Sequence, residues 1–132
     1  MSIRAVVKGI GLGVPSGILS NADLEKIVET NDDWIVQRTG IKERRMVAEG
    51  ETTSTLSIAA AKEALTSAGI DPMDVDMVVC GTVTGDKLFP STACLIQDAI
   101  GAKRAGAFDL GAACAGFIYS LCSASSMIEA GH

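Results

Sequence analysis

Apolar residues fall into two kinds of pattern along this chain. Short crowded runs predict strands over 3–10 (IRAVVKGI), 76–83 (DMVVCGTV) and 105–110 (AGAFDL). Runs that return to one face every three or four positions predict helices. Leu56, Ala60, Ala64 and Leu65 mark one over 53–68, and Gly69 closes it. NADLEKIVET (21–30) predicts a helix capped by Ser20 or Asn21. NDDWIVQR (31–38) predicts another, capped by Thr30 or Asn31, with Asp32 and Asp33 in its first turn and Gly40 at its end. Residues 89–101 read as a helix opened by Pro90 and Ser91 and closed by Gly101, and 114–130 as a last helix before Gly131. Between these, 41–47 is extended, and Gly and Pro make turns of 9–17, 50–52 and 71–72.

Strands thus alternate with helices, and the connections are long enough to hold a helix each. That order predicts an α/β fold with a parallel sheet. No internal repeat is present. The pattern stops at a helix C-cap where another strand would ordinarily follow, so the 132 residues read as part of a larger domain.

Composition narrows the function classes. Hydrophobic residues make up 48% and charged ones 20%, enough to bury a core. A net charge of −5 leaves no basic excess for phosphates, which argues against a nucleic-acid partner. The one basic cluster, KERR at 42–45, reads as a solvated surface. The N-terminus lacks the apolar core of a secretory signal. A charge-free run from Leu110 to Ile128 is rich in Ala, Gly, Ser and Cys and bounded by Asp109 and Glu129, so it reads as a buried helix rather than a membrane span. The four cysteines form no C-x-x-C pair, and the single histidine is His132. A metal site is therefore not expected, and the thiols read as free and reduced in a cytoplasmic protein. GIGLGVPSG (9–17) has a G-x-G-x-G spacing, but Pro15 and Gly17 delay any helix to about Asn21, so it lacks the helix N-terminus of a dinucleotide loop.

Three places could carry chemistry. Cys114 falls where a strand meets a helix, and a helix N-terminus there favours thiolate and offers N–H groups to a carbonyl oxygen under attack. Its small neighbours, Gly111 to Gly116, leave room for a substrate. The other reading is a small buried hydrophobe, with Phe117, Ile118 and Leu121 burying the helix. Cys80, Cys94 and Cys122 read as core. Trp34 and Arg38, four apart on one helix, either stack on a flat ring such as adenine or pack as an indole under an arginine stem. Phe89 either lines a pocket or is plain core.

Three stretches together resemble one family. NADLEKIVETNDDWIVQRTGIKERR (21–45), FPSTACLIQ (89–97) and AFDLGAACAGFIYSL (107–121) are similar to β-ketoacyl-acyl carrier protein synthase III, and D-W-I-x-x-R-T-G-I-x-x-R with A-C-A-G-F is the specific part. The resemblance implies a thiolase-like fold, two α/β halves in a five-layered α-β-α-β-α core, acting as a homodimer. It implies that Cys114 takes an acyl group, usually acetyl, from a coenzyme A thioester. The acyl-enzyme then condenses with malonyl-acyl carrier protein. Coenzyme A enters as substrate, with no permanently bound cofactor. Trp34 and Arg38 match residues that sandwich the adenine, and Thr30 a neighbouring contact. Phe89 matches a residue that limits the acyl pocket and is reached across the dimer interface.

The resemblance also implies what 1–132 lacks. The family's decarboxylating histidine and asparagine come from its second half, and His132 does not match that histidine. The chain is thus expected to be an incomplete N-terminal half domain, unable to complete condensation alone. Its apolar faces would be covered by a partner chain or continuation carrying the remainder. Alternatives are a related condensing enzyme that primes polyketide or other secondary-metabolite synthesis, a hydroxymethylglutaryl-coenzyme A synthase, or a non-catalytic fragment that binds coenzyme A or a partner chain.

Overall fold

The computed structural model describes residues 4–131. In chain order its elements are β1 (Gly17–Ser20), α1 (Asn21–Leu24), α2 (Asp32–Thr39), β2 (Glu43–Met46), α3 (Thr53–Ala68), β3 (Met77–Gly81), α4 (Thr92–Ile100), β4 (Gly106–Leu110) and α5 (Gly116–Ala130). Single 3₁₀ turns occupy Pro72–Asp74 and Ala113–Ala115. The chain divides into two compact units, one of residues 14–51 and one of 52–131 together with the leading segment up to Gly13.

The α/β expectation holds in the second of these. β3 and β4 pair in parallel, Met77 opposite Gly106 through Gly81 opposite Leu110, with α4 as the crossover. Side chains alternate across the sheet. Met77, Val79 and Gly81 face α5, whereas Asp109, opposite Cys80, reaches the start of α4. Ala93 and Ile96 of α4 and the nearby Ala102 are among the most buried apolar residues. α5 packs close to β3 because Gly81 has no side chain: a Cβ there would stand 2.9 Å from the Gly116 main chain. α3 lies against α4.

The predicted strand at 3–10 is a correction. Ile3 lies outside the described residues, and 4–10 has no hydrogen-bonded strand partner among them. An apolar run signals burial, but a strand also needs a neighbour in register, which periodicity cannot supply. The glycines of the predicted turn have another use. A Cβ on Gly9, Gly11 or Gly13 would lie 2.4, 2.0 or 1.9 Å from the carbonyl oxygens of Ala64, Ala60 and Leu56 in turn. Two extended residues advance about 6.6 Å and four helical ones about 6 Å. Every second residue of this segment therefore meets the next turn of α3, running the other way, and only glycine fits so close.

The unit of residues 14–51 holds a second departure. β1 and β2 pair antiparallel, Gly17 opposite Met46 through Ser20 opposite Glu43, so the chain's strands are not all parallel. Only residues 43–46 of the extended 41–47 form the strand. α1 is one turn long instead of ten residues. Ser20 is its cap, in a reciprocal box with Asp23, and bonds from Lys26 N–H to Asp23 and Ile27 N–H to Leu24 tighten the chain out of α-geometry. Asn31, not Thr30, caps α2, accepting from Trp34 N–H at 2.8 Å, and Gly40 ends it at φ +72°. Asn21 is the polar centre of this unit. It is 2% exposed, donates to Asp32 Oδ1 (2.6 Å) and Ile41 O (2.9 Å), and accepts from Arg44 Nη1.

Candidate active site

Cys114 sits on the turn between β4 and α5. The helix was expected to begin at 114, but Ala113–Ala115 form a 3₁₀ turn and α5 starts at Gly116. The thiol therefore precedes the helix by two residues. No side chain caps either the turn or α5, so their leading N–H groups are left free of side-chain acceptors. Cys114 is exposed on this turn, where nothing among the described residues buries it. Ala113, immediately before it, has φ +44°, a left-handed conformation that costs a residue with a Cβ about 1 kcal/mol or more. Among the described residues it is the one non-glycine with positive φ.

The other cysteines separate by environment. Cys80 is partly buried on β3, and burial first, then the Asp109 carboxylate across the ladder, pushes its thiol up. Cys94 is half-buried in α4, with the Ser91 hydroxyl donating to its sulfur at 3.2 Å. Cys122, expected in the core, is exposed on α5. The same correction applies to Phe117, Ile118 and Leu121, which are 74, 54 and 47% exposed. One face of α5 meets the sheet, and a nearly charge-free sequence gives no warning of which residues lie on the others. Between α5 and β3 runs an apolar cleft of about 520 Å³, lined by Met77, Val79, Phe117, Leu121 and Ile128 among others.

Phe89 is not core. It is 90% exposed, as is its neighbour Leu88 at 97%, on the loop leading into α4. Sequence reading passed over the two acids that hold this loop. Asp86 accepts from Thr52 Oγ1 (2.8 Å), Ser54 N–H (3.2 Å) and the Ser54 hydroxyl. The Ser54 hydroxyl first holds the Asp86 carboxyl below its usual range; burial opposes it, and Thr52 and backbone N–H groups add to the lowering. Asp109 accepts the N–H groups of Thr92 (2.8 Å) and Ala93 (2.7 Å), closing the N-terminus of α4 from the sheet. Its signal was a lone carboxylate inside the apolar run AGAFDL.

In the unit of residues 14–51, Trp34, Arg38 and Thr30 come together. The Arg38 guanidinium lies 4.9 Å from the centre of the Trp34 ring, a cation–π pair. Trp34 is 52% exposed and the buried residue of α2 is Ile35, so the indole is not core. A shallow cavity of about 230 Å³ is lined by Glu29, Thr30, Asn31 and Trp34. Such a surface can hold a flat, electron-rich ring against indole and guanidinium.

Among the described residues no cluster of three or more His, Cys, Asp and Glu side chains could hold a metal ion, and no helix is long and apolar enough to cross a membrane. His132 lies outside the described residues.

No family model matches the chain. It is 56% identical over 131 residues to the β-ketoacyl-[acyl-carrier-protein] synthase III of Roseiflexus sp. strain RS-1, covering 99% of this chain and 40% of that one. The crystal structure of 3-oxoacyl-[acyl-carrier-protein] synthase III from Aquifex aeolicus VF5 superposes with a TM-score of 0.90 at 48% identity, over 99% of this chain and 41% of that one. The priming β-ketosynthase of the R1128 polyketide pathway gives 0.91 at 37% identity, over 99% and 40%. The chain spans about two-fifths of the length of the relatives it matches. In sequence and in its α/β thiolase-like fold it matches the N-terminal portion of the synthase III family.

Proposed function

We propose that these residues form the N-terminal part of an initiating condensing enzyme of fatty-acid synthesis, with Cys114 as its nucleophile. The observation that carries the reading is a solvent-exposed thiol on a short turn behind a strained residue, ahead of an uncapped helix. The Cys114 thiolate attacks the carbonyl carbon of an acyl-coenzyme A, a new C–S bond forms, and coenzyme A leaves as its thiolate. The Cys114 N–H helps hold the oxygen that becomes negative during attack. Malonyl-acyl carrier protein then loses carbon dioxide. The carbanion so formed bonds to the acyl carbon, releasing the Cys114 thiolate and a β-ketoacyl-carrier product. Decarboxylation is assigned to groups of the family's second half, so residues 1–132 supply the acylation step and not the whole cycle.

Trp34 and Arg38 take the adenine of coenzyme A, Thr30 lines the same recess, and Phe89 limits the acyl pocket of a partner copy in a homodimer. Coenzyme A is a substrate here, and no resident cofactor is assigned. The enzyme works in the cytoplasm with an acyl carrier protein as its second partner. Incubation with acetyl-coenzyme A tests the reading: the Cys114 peptide should gain one acetyl group, and Cys114→Ser should gain none. Labelling elsewhere, or none in the wild type, overturns it.

A second reading is favoured by the likeness to a polyketide priming ketosynthase: the same thiol chemistry with a different primer. Competition between acetyl-coenzyme A and longer acyl-coenzyme A thioesters for Cys114 separates the two, since the fatty-acid reading expects acetyl to win.

A further inference from the structure

The loop between β3 and α4 presents Leu88 and Phe89 to solvent at 97 and 90% exposure. An apolar pair on an unanchored loop would fold back onto any apolar surface within reach. Here a carboxylate holds each end. On the leading side, Asp86 receives Thr52 Oγ1 at 2.8 Å, Ser54 N–H at 3.2 Å and the Ser54 hydroxyl, which ties the loop to the start of α3. On the trailing side, Asp109 reaches from β4 and takes the N–H groups of Thr92 at 2.8 Å and Ala93 at 2.7 Å, the first two residues of α4. Gly85 lets the two ends close together, since a Cβ there would stand 2.6 Å from Thr92 Oγ1 and 3.7 Å from Asp109 Oδ2. The Leu88–Phe89 tip is therefore strung between two fixed points.

We propose that Asp86 and Asp109 are positioning residues that set how far the Leu88–Phe89 tip projects, and thereby the length of acyl primer accepted. The inference rests on the reading of Phe89 as a wall of the acyl pocket. The two sites differ in kind: one Asp86 oxygen takes the Ser54 N–H and the other two hydroxyls, whereas both Asp109 oxygens take backbone N–H groups that can only donate. Asp109 spends one oxygen on each of two adjacent N–H groups. An asparagine keeps one acceptor and turns an amide N–H₂ toward the second backbone N–H, so it cannot replace the pair. Asp109 is also the next-to-last residue of the strand that leads into the Cys114 turn, so the tip and the nucleophile take their positions from one strand.

The test uses Asp86→Ala, Asp109→Asn and the double variant, with Lys87→Ala as a loop substitution that leaves both carboxylates in place. Amide hydrogen exchange should quicken about tenfold across 87–93 in the aspartate variants, the scale of one lost hydrogen bond, while β4 and α5 stay as in the wild type. Unchanged exchange in that segment overturns the proposal. Acylation of Cys114 is then compared for acetyl-, butyryl- and octanoyl-coenzyme A by intact mass. The ratio of long to short primer should rise about tenfold in the aspartate variants, the scale of a methylene in an apolar pocket, and stay at the wild-type value in Lys87→Ala. Equal slowing for all three primers means a merely structural role and overturns the specificity assignment. A wild type that takes up no acyl group from any thioester overturns the acyl-transfer reading and the primer-length assignment with it, while the exchange comparison still decides the clasp.

Discussion

Removing the Asn21 side chain should loosen the unit that carries Trp34. Asn21 is 2% exposed and joins three segments: it donates to Asp32 Oδ1 on α2 and to Ile41 O ahead of β2, and accepts from Arg44 on β2. A neutral hydrogen bond contributes about 1 kcal/mol net and one to a charged group about 1.5–3 kcal/mol. Asp32 is exposed and can rehydrate once its partner is gone, which pulls its share to the low end. The half-buried Arg44 regains less. Asn21→Ala should therefore cost about 3 kcal/mol, a little over a hundredfold in the unfolding constant. The chain has a single tryptophan, so Trp34 fluorescence during urea unfolding reports on this unit directly. The expected result is an earlier midpoint with an unchanged slope, and a weaker Trp34–Arg38 pair seen as a red-shifted emission already without urea. A loss below about 1 kcal/mol would refute the claim that this one amide organises the unit.

Lys26 first, then Ser20, hold the Asp23 carboxyl down to about 2, against 3.8 for a free aspartate. Because the folded value is depressed, the capping box is fully in place above pH 4 and is lost as pH falls toward 2; a carboxyl ¹³C titration of Asp23 with a midpoint near 4 would show that the box is not formed in solution. Gly11→Ala places a methyl 2.0 Å from Ala60 O and 2.6 Å from Ala64 N, and should lower stability by about 2–3 kcal/mol in thermal melts, driving the 9–13 segment off α3. In timed alkylation read by peptide mass, Cys114 and Cys122 should react before Cys94, and Cys80 last, since burial and Asp109 disfavour its thiolate. Ala113→Gly trades left-handed strain against chain entropy and should leave the melting temperature nearly unchanged, whereas Ala113→Val should cost more than about 1 kcal/mol.

Much of this was legible in the residues. Asn31, Ser91, Gly40, Gly69, Gly101 and Gly131 are caps whose chemistry acts within one or two residues of themselves, so helix limits came out close to the observed ones. The parallel β3–α4–β4 unit followed from spacing alone, because a crossover long enough to hold a helix returns the chain to the same edge in the same direction. Trp34 and Arg38 were placed side by side by a helical step of four. Local rules fix these features, since everything they need lies within a few residues.

The rest depended on partners distant along the chain. The glycines at 9, 11 and 13 read as a turn until α3 was seen against them, 43 or more residues onward. The run at 4–10 had the composition of a strand and found no strand beside it among the described residues. Asn21, one of the two caps the sequence offered for α1, is a buried amide bonded to Asp32, Ile41 and Arg44, 11 to 23 residues onward. Exposure of Cys114, Phe89 and Trp34, on which the whole functional reading turns, is set by what packs over a side chain, and no window of sequence contains that. The sequence by itself determined α2 to α5, the parallel β3–α4–β4 unit and the chemistry available to them. Tertiary structure decided which acids clasp the Phe89 loop and which thiols meet solvent, because hydrogen bonds and burial act through space.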